Sequence, residues 1–595
     1  MTETPLAALR AKMKQYGVDA YLIPTGDYHG SENLGEYFQA RAYVSGFTGS
    51  AGTLLVQQNW AGLWTDGRYF IQAEQQLNGS GITLMKIGQP EVPTLDQYLA
   101  DTLTEGQQLG FDGRCVTARE GSKLREQLAC SGVGLLDNLD LADDIWPDRP
   151  ALSAQPAWEL PLSYAGIPRE FKIMALRLEL EKEQADVCLI TALDEIAWLL
   201  NIRGGDISCS PVVLSYLAVT GKNVLLFANP AVFSPVLRNT LEKSGVTFRP
   251  YEEFYSYASG LPFGTTVLLD CRKASCALAS VIPDSCLVLD RPSPVESAKA
   301  IKNPVEIRNI KDAHLRDGVA LTRFMCWLKH TVGREYLTEL SAAEHLENLR
   351  RSASSYLGPS FHPILAYGSH GAIVHYSATP ETDAALAQDG FLLADTGGHY
   401  WEGTTDCTRT FALGPLSREQ KEHYTIVLRG LLNLADARFP YGCTGANLDC
   451  LARMPLWDRK LDYNHGTGHG VGYLLNVHEG PQNIRWRTAE GGNAVLEPGM
   501  VTSDEPGLYL AGQYGIRLEN LLLCTVGEET EFGQFLGFEH LTLVPFDSDA
   551  IVPEQMNPRE LSLLNRYHAK VWEQISPFLP EEEQAWLKTV TQPLP

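Results

Sequence analysis

The chain has 595 residues, 44% of them hydrophobic, and a net charge of −24. That length allows about four domains, with enough apolar side chains for several buried cores. The acidity disfavours nucleic acid or an anionic membrane as a partner, because binding to either rests on positive patches.

The amino terminus, MTETPLAALRAKMKQYG, has neither a basic start with an apolar core nor a cleavage site, and no window of eighteen apolar residues follows it. A soluble, unexported, cytoplasmic protein is expected. Twelve cysteines without a CxxC pair fit reduced thiols, most of them serving as small buried apolar side chains.

Prolines mark two seams, Trp146-Pro147-Asp148-Arg149-Pro150 through Pro156 and Pro161, and Asp290-Arg291-Pro292-Ser293-Pro294. They give an expected division into 1–155, 156–297 and 298–595, with a carboxyl-terminal extension from about 535. The first two parts echo each other weakly. Val18-Asp19-Ala20-Tyr21-Leu22-Ile23 resembles Ala185-Asp186-Val187-Cys188-Leu189-Ile190, and Ala42-Tyr43-Val44 resembles Ala197-Trp198-Leu199, at offsets of 167 and 155 that require an insertion. Past the second seam, Asn303-Pro304-Val305-Glu306 supplies a cap, a first-turn proline and an acid at the third position, and predicts a helix to about Lys329. Asn557-Pro558-Arg559-Glu560 repeats the device. There Leu561, Leu564, Tyr567, Val571 and Ile575 form an apolar stripe, read as core or as a dimer contact.

Between these helices five potential metal ligands follow in order: Asp395, Asp406, His469, Glu505 and Glu519. Phe391 to Asp395 reads as a buried strand, and Thr408 to Phe411 resumes β-character after several glycines. A hairpin folded between Tyr400 and Trp401 puts Asp395 directly opposite Asp406. Glu505 and Glu519 are related in the same way about Gly512, so two hairpins bring four carboxylates to one point. Singly, each acid reads as solvated surface charge. Together, in apolar β-forming surroundings, each like-charged pair about 4 Å apart costs roughly 4 kcal/mol at an effective dielectric of about 20. Cations or protons relieve that cost. Four carboxylates and an imidazole suffice for two divalent ions, and water held between them becomes a hydroxide nucleophile near neutral pH. Oxygen-rich ligation suits Mn²⁺ and accommodates Co²⁺, Fe²⁺ or Zn²⁺.

His469 lies in His465-Gly466-Thr467-Gly468-His469-Gly470-Val471-Gly472. Its His-x-x-x-His spacing would suit a zincin only on a helix, which four glycines in eight residues oppose. No strand-turn-helix context supports a dinucleotide loop either. Close backbone approach to substrate or metal explains the glycines better. His375 and His478 sit in similar short segments, where a lone histidine is more often a core residue; near five ligands they read as site residues.

The segments GAIVHY, LLADTGGHYWEGTTDCTRTF, HGTGHGVG, NVHEGP, SDEPGLY and GIRLEN resemble the catalytic domain of the pita-bread metallopeptidases, specifically the aminopeptidase P family. Asp66-Gly67-Arg68-Tyr69 after VSGFTGSAGT, together with IKNPVEI and GFEHLTLVP, resembles its long three-domain form, and the fourteen-residue spacing from Glu505 to Glu519 agrees. The resemblance implies two related ribonuclease-H-like α/β domains, the second without catalytic residues, followed by an α+β pita-bread catalytic domain. It also implies manganese, a homodimer, and hydrolysis of the amino-terminal Xaa-Pro bond in peptides with proline second. Asp395 becomes a terminal ligand of one metal, Asp406 and Glu519 bridge both, and His469 with Glu505 completes the other. Glu505 acts further as general base; His375 and His478 flank the scissile bond, and His465 lies near the proline ring. Arg68 is expected to reach bound peptide from the first domain. A prolidase shares the ligands and would cleave dipeptides only. A methionine aminopeptidase would leave the two long leading domains superfluous, and a pita-bread binding module has usually lost ligands that are all present in this chain.

Overall fold

The computed structural model describes residues 4–487 and 494–595 and falls into two units, Met1–Pro161 with Ile167–Val295, and Leu162–Gly166 with Glu296–Pro595. The first unit contains two six-stranded sheets of one topology. In one, the central Ala20–Pro24 strand runs antiparallel to Thr53–Gln57 and parallel to Gln108–Phe111. In the other, Val187–Ile190 runs antiparallel to Ser215–Thr220 and parallel to Thr266–Leu269. The outer strands repeat the same senses. Both central strands are buried along nearly their whole length, which their unbroken apolar runs allow. The weak sequence echo therefore marks two copies of one architecture, and its second half falls in the equivalent helices Ala40–Ser45 and Leu193–Leu200.

The second unit begins its main helix where the sequence places it. The Asn303 side chain accepts from the Val305 and Glu306 amides, Glu306 accepts from the Asn303 amide, and the helix runs Pro304–Thr331. Asn557 caps Pro558–Ile575 in the same way. Leu564, Tyr567, Val571 and Ile575 of that helix are buried with Leu428, Leu431 and Leu432 of helix Arg418–Ala435, so this stripe belongs to the core. Around these helices lie two three-stranded sheets, a four-stranded sheet and two short hairpins. Asp395 and His469 lie on these strands, and Asp406, Glu505 and Glu519 lie immediately beside strand ends. Among the described residues, no helix is long and apolar enough to cross a membrane.

Candidate metal centre

The Phe391–Thr396 strand pairs antiparallel with Cys407–Ala412, and Asp395 stands opposite Thr408. This corrects the expectation that Asp395 faces Asp406. The turn is a two-residue loop at Trp401-Glu402, one position later than the spacing suggests, because Gly403 adopts φ 145°, a conformation that other residues avoid. The partner shifts by two residues, which leaves the face unchanged and makes Asp406 a diagonal neighbour. Buried Asp317, on the long helix, fixes this turn. Its two oxygens accept from Tyr400 Oη at 2.9 Å and Thr405 Oγ1 at 3.0 Å, and Arg350 Nε pairs with it at 2.7 Å.

The second hairpin follows its expected register. Gly507–Leu510 pairs with Tyr514–Arg517 about Gly512, whose φ of 73° suits glycine. Beyond it Asp504 pairs with Asn520 in the same register, so Glu505 and Glu519 face each other where the two ladders meet. Thr408 Oγ1 donates to Glu519 Oε2 at 2.8 Å and ties the hairpins together.

His469 enters on the short Gly468–His469 strand, not on a helix. Its neighbours must be glycine. A β-carbon at Gly468 would lie 2.0 Å from the Ser503 carbonyl oxygen, and one at Gly470 would lie 2.1 Å from that of Glu479. That close packing brings His469 Nε2 to 3.4 Å from Asp406 Oδ2 and 3.6 Å from Glu505 Oε1. Single donor atoms of Asp406, His469 and Glu519 lie within 4.8 Å of one another.

The donor set fits a divalent cation. His469 Nδ1 donates to the Gly470 carbonyl at 3.0 Å, which leaves Nε2 turned toward the Asp406 and Glu505 carboxylates, where it can serve as a ligand. Asp395 Oδ1 and Glu519 Oε1 are buried and find no hydrogen-bond partner among the described residues. Burial, then Asp406 and Asp395, push the Glu505 carboxyl up to about 7 against the pull of His469 and Arg517. Burial with Asp406, Glu505 and Asp395 holds Glu519 well above the usual carboxylate range. Lone pairs turned on one another in a buried pocket call for positive charge.

Arg517, two residues before Glu519 on the same strand face, supplies part of it. Its Nη2 pairs with Asp395 Oδ2 at 2.6 Å and its Nη1 donates to Tyr509 Oη at 2.7 Å. Tyr509 in turn meets His465 Nε2 at 2.9 Å; because His465 Nδ1 faces the Gly466 carbonyl, Tyr509 is the donor. His478 packs edge-on against His469 with ring centroids 4.2 Å apart. The half-buried His375 follows Val374, whose carbonyl lies 3.4 Å from Arg517 Nη2. Arg517, Tyr509 and Asp317 carry no motif spacing toward their partners. Only the i, i+2 placement of Arg517 beside Glu519 offered a signal. Arg68 belongs to the first unit, where its guanidinium forks onto Asp66 at 2.8 and 2.7 Å.

Comparison with known proteins gives the whole chain a relationship. Residues 308–526 match metallopeptidase family M24, residues 5–142 and 148–306 each match a creatinase/prolidase N-terminal domain, and 534–594 match the C-terminal region of peptidase M24. A probable Xaa-Pro aminopeptidase P of Coprinopsis cinerea is 40% identical over 100% of this chain and 98% of its own. Aminopeptidase P2 of Arabidopsis thaliana is 39% identical over 97% of this chain and 86% of its own. The crystal structure of X-prolyl aminopeptidase from Caenorhabditis elegans, described as a cytosolic enzyme with a di-nuclear active site, superposes with a TM-score of 0.94 at 35% identity and covers 99% of both chains. With two creatinase-type domains ahead of a pita-bread metallopeptidase domain, and with full-length identity at this level, the chain belongs to the aminopeptidase P family.

Proposed function

We propose that this protein is a metal-dependent aminopeptidase that removes the first residue from peptides with proline second. The observation that carries the metal dependence is the convergence of His469 Nε2 on Asp406 and Glu505, beside the orphaned oxygens of Asp395 and Glu519. The proline specificity is supported by relatives named as Xaa-Pro aminopeptidases over the full chain. Asp395, Asp406, His469, Glu505 and Glu519 are the proposed ligands of two divalent ions, with Mn²⁺ favoured by the oxygen-rich donors. Such ions supply Lewis acidity toward the scissile carbonyl and lower the pKa of water toward neutrality.

The chain's own groups supply the rest. Glu505 accepts the nucleophile's proton and passes it toward the leaving secondary-amine nitrogen of proline. His375 and His478 orient the scissile bond and donate to the developing negative charge on its oxygen. His465, held by Tyr509, shapes the proline pocket. Proline explains the need for a dedicated pocket, since it lacks an N–H and restricts the residue before it. The reading assigns 1–155 and 156–297 to the creatinase-type domains and 298–595 to the catalytic domain, a division that the matched segments support. It places the enzyme in the cytoplasm, as the C. elegans relative is described.

A panel of Xaa-Pro dipeptides, Xaa-Pro-Xaa peptides of increasing length and Xaa-Ala-Xaa controls tests the activity. Xaa-Pro-Xaa cleavage is expected, with the alanine controls resistant; cleavage confined to dipeptides would make the protein a prolidase. The same panel tests Arg68→Ala. Cleavage of the longer peptides is expected to weaken while metal content is kept, because remote binding energy positions the scissile bond. An unchanged profile at every length would leave Arg68 as a surface ion pair worth about 0–1 kcal/mol.

His375→Ala and His478→Ala are each expected to keep both metals and lose about 10²-fold or more in kcat/KM, the scale of removing one donor to a developing oxyanion. Elemental analysis alongside steady-state kinetics checks this. Metal loss would move the residue into the coordination shell, and unchanged kinetics would make it a core residue.

A further inference from the structure

The loop that carries His375 is gathered by one buried acid outside the metal centre. Glu339 opens the helix Glu339–Arg351, and its side chain is fully buried. Its Oε1 accepts from the Tyr367 amide at 2.7 Å and from His370 Nδ1 at 2.9 Å. Its Oε2 accepts from Tyr376 Oη at 2.8 Å and from the Ala384 amide at 3.1 Å. Four donors from one stretch, residues 367 to 384, thus converge on one carboxylate, and the His370 and Tyr376 rings stack 4.4 Å apart beside it. The helix end is tied to the same stretch through the Glu339 amide to Ala384 O at 3.1 Å and the Leu340 amide to Asp383 Oδ1 at 3.0 Å.

Two of these donors bracket His375, with His370 before it and Tyr376 next to it. On the other side the Val374 carbonyl meets Arg517, which holds Asp395. The His375 backbone is therefore set between two charged groups, one of which also holds a candidate ligand. A residue of similar shape without the second acceptor oxygen leaves a buried donor unsatisfied and frees the loop to relax.

We infer that Glu339 is a positioning residue for the aminopeptidase reaction, fixing His375 against the scissile bond through Tyr376 and His370. The inference rests on the placement of His375 at the substrate. The Glu339 carboxylate bonds to residues 367 to 384, none of them a candidate ligand, so its effect passes through the loop.

A double-mutant cycle on the metal-loaded enzyme tests this, with kcat/KM on an Xaa-Pro-Xaa peptide and metal content as readouts. Glu339→Gln is expected to lower kcat/KM on the order of 10-fold, below the roughly 10²-fold that a misplacement of about 1 Å can cost, with both metals retained. In a His375→Ala background the same substitution is expected to change kcat/KM by less than about twofold, because the ring it positions is gone. Tyr376→Phe removes a single donor and is expected to show a smaller loss that also vanishes in the His375→Ala background; it carries the test should Glu339→Gln fail to fold. A loss of full size in the His375→Ala background, or one accounted for by missing metal, would overturn the inference and leave the role of His375 standing. A silent His375→Ala would overturn both.

Discussion

Exhaustive chelation is expected to abolish Xaa-Pro cleavage, and Mn²⁺ is expected to restore it. The donor atoms gathered at the centre are those of four acids and an imidazole, and the nearby Ser503 hydroxyl is tied to the His469 amide and to Glu505. Without cations, burial and like-charged neighbours push the Glu505 and Glu519 carboxyls toward the protonated form. A protonated cluster neither polarises a carbonyl nor activates water, and those effects are together worth several kcal/mol, or about three orders of magnitude or more at about 1.4 kcal/mol per tenfold. Metal loading should also raise the melting temperature, since ions that bind the folded cluster and not the unfolded chain stabilise the fold by mass action. Elemental analysis, calorimetry and activity on one preparation check all three expectations. Full turnover in protein shown to be metal-free would sink the two-metal reading.

Asp406→Asn is expected to be the most damaging isosteric change. Asp406 is buried, lies 3.4 Å from His469, and belongs with His469 and Glu519 to the tightest group of donor atoms in the cluster. The amide keeps the volume but replaces one oxygen by a donor and removes the charge that the proposed ligand role would require. One metal should be lost, and turnover should fall by about three orders of magnitude. The turn itself should survive, because its anchors are Tyr400 and Thr405 on Asp317 and not Asp406. Retention of two metals per chain at near-normal rate would remove Asp406 from the bridging role.

The two hairpins explain how much of this centre could be read from the chain. The pair about Gly512 was legible because the tip glycine sits at the midpoint and the same register resumes in a second ladder at Asp504 and Asn520. The pair about Trp401 was displaced because equal spacing cannot distinguish registers two residues apart, which share a face; the position of Gly403 and the hold of Asp317 decide between them. Helix starts at Asn303 and Asn557 were readable from local capping chemistry alone. The contacts of Arg517 with Asp395, Tyr509 with His465, Asp317 with Tyr400 and Glu339 with Tyr376 were not, because these partners lie tens of residues away and only tertiary packing brings them together. Similarly, the duplicated sheets left only a weak echo, since what the copies share is strand order and sense, which many apolar sequences satisfy.

The unbroken register through Glu505 and Glu519 also sets where this chain can tolerate a change of length. Ala511, Gly512 and Gln513 at the hairpin tip are exposed, and a side chain at Gly512 would meet nothing within 4 Å. Residues added in pairs there lengthen both arms equally and leave the two glutamates in place. A single residue added between Glu505 and Leu510 would instead turn every side chain on its lower-numbered side to the opposite face of the ribbon, carrying the Glu505 carboxylate out of the centre. The tip is thus a natural position for a spectroscopic label or an inserted tag, while the twelve residues of the two arms, 505–510 and 514–519, behave as a fixed gauge.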